Sequence, residues 1–320
     1  MTQPTTPLKL IFCGTPAFAV PTLEALLIAG HDIALVVTQP DRPVGRKQIL
    51  TPPPVKQTAL AHHLEVIQPE KIRTNADFRA LLESIQPDAI VVVAYGRIIP
   101  KWMLDLPRLG CINLHGSLLP KYRGAAPIQW AIANGDKVLG NTTMLLEEGL
   151  DTGPMLLQQQ IPILPEQTSV DLFEILAQAG APLVVETLAG LAAGSLHPTP
   201  QDHAQATLAP ILDREDGRMD FAARTATEVW NRWRGFQPWP GAFTTLAAKK
   251  LIVTQLRPTT DLQAKLQPGE LLSTDNRLFA GCAHNTALEV LEVQPEGKSR
   301  MSAADFLRGN PIVPGAKLGE

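Results

Sequence analysis

Residues 8–37 read LKLIFCGTPAFAVPTLEALLIAGHDIALVV. An apolar run, Leu8–Cys13, ends at the turn Gly14-Thr15-Pro16. From Phe18 to Ala29 the apolar residues Val20, Leu23, Leu26 and Leu27 recur at helical spacing. A second apolar run, Ile33–Val37, follows. Strand, helix and strand in that order make one turn of a parallel sheet, and the chain repeats the pattern. Ala89–Ala94 (AIVVVA) is a third strand-like run and Cys111–Leu114 a fourth, with helical stretches such as Asp77–Ser84 between them. This alternation predicts a doubly wound, mostly parallel α/β sheet. The unbroken apolar character of AIVVVA predicts a strand buried on both faces.

From about residue 205 helical periodicity fades and short β-rich runs take over: Leu251–Thr254, Glu270–Leu272 and Leu288–Val293. Turn signals at Pro258, Pro268-Gly269, Asp275-Asn276 and Pro295 separate them. A small all-β domain, sandwich or barrel, is expected. The boundary falls within Gln201–Pro210, giving domains of 1–204 and 205–320.

The composition, 45% hydrophobic and 18% charged over 320 residues, is that of a soluble globular protein. A net charge of −3 excludes a strongly basic nucleic-acid binder but not a nucleic-acid substrate held by local patches. Cys13, Cys111 and Cys282 show no metal or redox spacing and read as buried thiols of a reducing compartment. MTQPTTPLK at the start has no apolar signal core, and no apolar run suffices to span a bilayer, so the cytoplasm is expected.

The chemistry concentrates in residues 110–127, GCINLHGSLLPKYRGAAP. Asn113 and His115 lie two apart at the end of an apolar strand, so both point to one side. That strand end is where open α/β sheets bind ligands. An amide donor beside an imidazole suits a reaction that passes through an oxyanion. Glu147–Gly153 (EEGLDTG) supplies Asp151, the acid best placed in sequence to orient or deprotonate His115. Val36–Val55 is a long loop with a basic cluster of Arg42, Arg46 and Lys47, equally readable as a solvated loop or a phosphate contact. Lys121 and Arg123 form a second basic pair beside the site. The turn at Gly14 lacks GxGxxG spacing and Asp32 begins its strand, which speaks against a dinucleotide site. Trp239, set between Pro238 and Pro240 with Phe236 nearby, reads as a rigid packing anchor.

Together these motifs resemble the methionyl-tRNA formyltransferase family of folate-dependent formyltransferases, over nearly the whole chain. The resemblance rests on IFCGTPAFAVPTLEALL, VTQPDRPVGR, VVVAYGRIIP, GCINLHGSLLPKYRGAAPIQWAI, EEGLDTGPML and FQPWPGA. It implies a Rossmann-like catalytic domain followed by an OB-like β-barrel that contacts tRNA. It also implies formyl transfer from 10-formyltetrahydrofolate, with no metal, to the α-amino group of methionyl initiator tRNA. By the family pattern Asn113, His115 and Asp151 are catalytic. Val92, Val93, Tyr95, Ser117, Leu118, Leu119, Pro120 and Gly149 would bind the folate, and Arg42, Arg46 and Lys47 the tRNA. A monomer without a membrane partner is expected.

The chain departs from the pattern on the presumed tRNA side. In ATLAPILDREDG, Leu208 replaces an aromatic and Ile211 a lysine, while Arg214 keeps its charge. Gln48 falls where the inserted loop is usually basic. The rival readings are a formyltransferase for a small amine, such as a glycinamide ribotide or an amino-sugar nucleotide, and a non-catalytic folate or nucleic-acid module. The C-terminal β domain with FQPWPGA argues against the first. The joint presence of Asn113, His115 and Asp151 argues against the second.

Overall fold

A computed structural model describes residues 7–45, 47–262 and 264–319. Two compact units result. The first takes the described residues to Pro127, then Val138–Pro162 and Leu172–Pro210. The second begins in earnest at Ile211 but also takes in Ile128–Lys137 and Ile163–Asp171 from the N-terminal half. The boundary read from sequence allowed for no such insertion.

In the first unit β1 (Lys9–Gly14) leads through a 3₁₀ turn, Ala17–Ala19, into α1 (Val20–Ile28) and β2 (Asp32–Val37). The long loop expected after β2 holds a hairpin, β3 (Arg42–Val44) and β4 (Ile49–Thr51). There follow α2 (Pro54–Ala61), β5 (Val66–Ile67), α3 (Ala76–Ile85), β6 (Ala89–Val93), α4 (Lys101–Leu104) and β7 (Cys111–His115). The Asn75 side chain caps α3 by accepting from the Phe78 amide. After α5 (Pro127–Ala133) come β8 (Val138–Leu145), β9 (Met155–Pro162) and α6 (Ser169–Ala192).

The sheet order is β5-β2-β1-β6-β7-β8-β9. The first five strands run parallel, and β8 and β9 are antiparallel additions. Every residue of β6 is buried, as a strand covered on both faces requires. One apolar layer includes Phe12, Val91, Leu114, Val184 and Leu188; the other includes Ile11, Val92, Phe78 and Met103.

Helix α6 is long and apolar enough to cross a membrane, contrary to the expectation that no run would be. Its Leu172, Leu176, Ala181, Val184 and Leu188 are buried, and Val184 and Leu188 lie in the same layer as β1. Gly180 lets the helix close on the sheet: a Cβ there would sit 2.6 Å from Leu114 Cδ2. It is a core helix, which the same composition also serves.

The second unit, which also takes most of α5, continues with α7 (Ala226–Gly235), whose N-terminus carries a capping box between Thr225 and Glu228. Sequence reading missed this helix. Then come β10 (Phe243–Leu246), β11 (Lys249–Thr259), β12 (Leu271–Thr274), β13 (Arg277–Cys282), β14 (Thr286–Pro295), β15 (Met301–Ser302) and α8 (Ala303–Gly309). The antiparallel order is β10-β11-β14-β13-β12, with β15 on β14. Leu318 bridges to Leu246 and Lys317 to Glu270, so the C-terminal tail joins the two edges and closes the sheet into a barrel. Pro258, read as a turn, lies inside β11 opposite Leu288.

Candidate active site

The strand order reverses at β1 and β6, and the carboxyl ends of β1, β6 and β7 converge at this crevice. Beyond β6 the backbone turns left-handed at Ala94 (φ +46°) and Gly96 (φ +81°). The Tyr95 carbonyl is pinned by Thr15 Oγ1 at 3.0 Å and Gln39 Nε2 at 3.1 Å. Arg97 donates to Gln39 Oε1 at 3.1 Å and also to the Glu70 carbonyl.

Alternation along β7 puts Asn113 and His115 on one side of the strand. Among the described residues nothing hydrogen-bonds the Asn113 amide, which is half-buried. His115 is buried. Its Nε2 lies 2.9 Å from the Tyr122 carbonyl. A carbonyl only accepts, so Nε2 carries the hydrogen and Nδ1 is left to face Asp151. Nδ1 stands 3.8 Å from Asp151 Oδ2. That oxygen also accepts from the Gly124 amide at 2.8 Å. Oδ1 accepts no hydrogen bond among the described residues. The carboxylate is thus held by one oxygen and open at the other.

Two tight loops bring these groups together. Ser117 Oγ donates to the Lys121 carbonyl at 2.7 Å, and Thr142 Oγ1 donates to the Ser117 carbonyl at 2.7 Å. Gln158 Nε2 holds the Leu119 carbonyl at 2.9 Å. Gly124 must be glycine: φ is +126° and a Cβ would lie 2.5 Å from the Ala209 carbonyl oxygen. In the acidic loop a Cβ on Gly153 would fall 1.9 Å from the Leu145 carbonyl oxygen. Asp151 itself adopts φ +50°, uncommon for any residue but glycine.

The chain matches the Formyl transferase family over residues 8–188 and the Formyl transferase, C-terminal domain, family over residues 211–311. It is 63% identical to the methionyl-tRNA formyltransferase of Acidobacterium capsulatum, over 98% of this chain and 100% of that one. Identity to the methionyl-tRNA formyltransferase of Koribacter versatilis is 59%, over 97% and 98%. The chain belongs to the formyl transferase family. An N-formyltransferase from Helicobacter canadensis, solved with folinic acid and dTDP-3-aminofucose, shares the fold at a TM-score of 0.65 and 17% identity, covering 91% of this chain and 100% of that one.

Other residues singled out by sequence fall variously in this formyl transferase. Val92, Val93, Tyr95, Ser117 and Leu119 are buried, so they can meet a ligand chiefly through backbone. Leu118 and Pro120 are half-buried and Gly149 is exposed. Arg42 and Lys47 are exposed, on the β3–β4 hairpin and its turn, with no acidic partner among the described residues. Arg46 lies outside the described residues. Of the basic pair, Lys121 is exposed, while Arg123 is buried and bonded to Gln201. Trp239 is 55% exposed, and the packing role belongs to Phe236, whose ring meets Trp130 edge-on at 5.3 Å. Leu208 and Ile211 are exposed. Among the described residues no His, Cys, Asp and Glu group is placed to hold a metal. Sequence reading passed over Gln201, because a single Gln among Pro, Asp and Thr has the texture of a linker.

Proposed function

We propose that this chain transfers the formyl group of 10-formyltetrahydrofolate to the α-amino group of methionyl initiator tRNA. The full-length identity to methionyl-tRNA formyltransferases, running through both units, carries this reading. Two polar groups without a hydrogen-bond partner among the described residues, one near the end of β7 and one on the β8–β9 loop, fit the cosubstrate: an amide donor at Asn113 for the formyl oxygen, and Asp151 Oδ1 for a proton. 10-Formyltetrahydrofolate supplies an activated formyl carbon when bound.

As the amine nitrogen bonds to the formyl carbon, negative charge gathers on the formyl oxygen. Asn113 donates to that oxygen, and His115, once its bare Nδ1 has accepted a proton, supports the same charge or passes that proton on. Asp151 Oδ1 takes the amine proton, directly or through one water. The bond from the formyl carbon to the folate nitrogen then breaks, and that nitrogen recovers a proton. Gly124 and Tyr122 serve by holding Asp151 and His115 in place.

Backbone of Val92–Tyr95 and of the Asp151 loop holds the folate, with Ser117–Pro120 and Gly149 shaping the wall. Arg42 and Lys47, and with them Arg46, contact tRNA phosphates, as does the barrel of the second unit. A reducing cytoplasm suits three free, buried thiols. The deciding experiment compares formyl transfer to charged initiator tRNA with transfer to glycinamide ribotide and amino-sugar nucleotides. Preference for a free small amine would replace this reading with the rival one.

A further inference from the structure

The segment Thr199–Ala209 is more than a connector. Thr199 pairs with Met155 in both directions at 2.8 Å, and Arg123 exchanges backbone bonds with Thr207 and Ala209 at 2.8 and 2.7 Å. Between these ends sits Gln201, 6% exposed. Its Nε2 donates to the carbonyls of Asp151 at 2.9 Å and Gly153 at 2.7 Å. Its Oε1 accepts from Arg123 Nε at 3.0 Å and Nη2 at 2.7 Å. Both amide hydrogens and both lone pairs are in use.

Arg123 is 7% exposed and has no carboxylate in ion-pair range among the described residues. Besides Gln201 its Nη2 meets His203 Nδ1 at 3.1 Å. A buried guanidinium bonded to the amide oxygen polarises that amide and strengthens its N–H donors. Those donors grip the backbone on either side of Thr152, at the point where Asp151 holds a left-handed conformation. Such a conformation lasts only where its surroundings over-determine it.

We propose that Gln201 is a positioning residue for the reaction, fixing the backbone of Asp151 while the Gly124 amide fixes its side chain. This rests on the reading of Asp151 as proton acceptor. Gln201 touches neither substrate. It acts by keeping Oδ1 aimed, and Arg123 acts through Gln201.

Gln201→Glu separates this role from a structural one. The carboxylate pairs with Arg123 but sets an acceptor against two carbonyl oxygens, so the fold keeps its anchor and the loop loses its hold. A misplacement of about 1 Å can cost on the order of 100-fold, so kcat is expected to fall roughly 10- to 100-fold. KM for 10-formyltetrahydrofolate and for charged tRNA, and the thermal midpoint, should stay near wild type, and the acidic limb of the kcat–pH profile should move. Gln201→Met, similar in length without the hydrogen bonds, should lose kcat as well, but with a lowered thermal midpoint, because Arg123 is left buried without this partner. Added to Asp151→Asn, either change should lower kcat by less than about twofold further, since residues acting as one unit are not additive. Wild-type kcat and pH profile in both Gln201 variants would overturn the proposal. So would a loss in Gln201→Glu that tracks the thermal midpoint, or a loss in either variant that multiplies with Asp151→Asn. Wild-type turnover in Asp151→Asn would instead overturn the reading of Asp151 itself.

Discussion

Asp151 and Gly124 are joined by a 2.8 Å hydrogen bond in which the glycine amide donates to Oδ2. His115 Nδ1 faces the same oxygen at 3.8 Å. One oxygen of the carboxylate therefore serves the protein, and the other accepts no hydrogen bond among the described residues. The arrangement depends on Gly124 coming close to Ala209, which only a residue without Cβ allows.

Gly124→Ala should fail on two counts. A Cβ would stand 2.5 Å from the Ala209 carbonyl oxygen, at φ +126°. Strain of this kind costs about 1–3 kcal/mol, before any loss of neighbouring bonds. Urea unfolding should show the loss of stability, and kcat should drop as the anchor of Asp151 shifts. A variant matching wild type in both would contradict the close approach.

Asn113→Ala removes the donor proposed to meet the developing negative charge. Loss of one such donor typically lowers kcat by roughly 10²- to 10³-fold. The side chain has no protein partner among the described residues, so thermal stability should hardly change. Steady-state kinetics with charged initiator tRNA, beside a melting curve, tests both halves. Normal turnover would remove Asn113 from the mechanism.

Glu289 carries a stability prediction with a defined sign. Arg277 and Arg257 bond its carboxylate at 2.7–2.9 Å and hold its pKa at about 2 against an ordinary 4.5. A carboxyl depressed on folding contributes fully above its unfolded pKa and loses that contribution as pH falls through the folded one. Glu289→Gln should therefore be less stable than wild type by about 2 kcal/mol at neutral pH. The gap should shrink from about pH 4.5 down to about pH 2. Denaturant titrations at neutral and acid pH measure it; a gap that widens in acid would refute the assignment.

Cys13, Cys111 and Cys282 are free and buried. Burial pushes the thiols of Cys111 and Cys282 up to about 12 and raises Cys13 well above its ordinary value. At pH 8 iodoacetamide should leave all three unmodified in the folded protein and alkylate all three once urea is added, as intact-mass spectrometry can count. Prompt alkylation of the native protein would show that one of these thiols is accessible.

Legibility in the sequence followed the range of the interactions. β1, β2, β6 and β7 could be read because burial on both faces leaves a continuous apolar run. α6 could not be distinguished by composition from a membrane span, since only its packing against Leu114 and its neighbours decides between them. Asn113 and His115 declare themselves through strand alternation, a local rule. Asp151 was picked on its flanking glycines, and the structure brings it to His115 from the far side of β8. The burial of Arg123 and the role of Gln201 are not legible locally because their meaning lies in each other, 78 residues apart. Trp239 and Phe236 were confused for a similar reason: which ring is covered depends on Trp130.

The second unit's claim on Ile128–Lys137 has a consequence for how the chain is made. Trp130 packs on Phe236, and a Cβ on Gly135 would crowd the Asn231 side chain, so α7 completes surroundings that the ribosome began much earlier. Synthesis runs from the N-terminus, and domains generally form as units when their sequence is finished. Here Ile128–Lys137 and Ile163–Asp171 leave the exit tunnel before their partners exist. Until α7 has emerged, both segments lack the partners of their own unit. A ribosome stalled short of α7 would hold Trp130 without the Phe236 ring that it meets in the finished unit, a natural foothold for a chaperone.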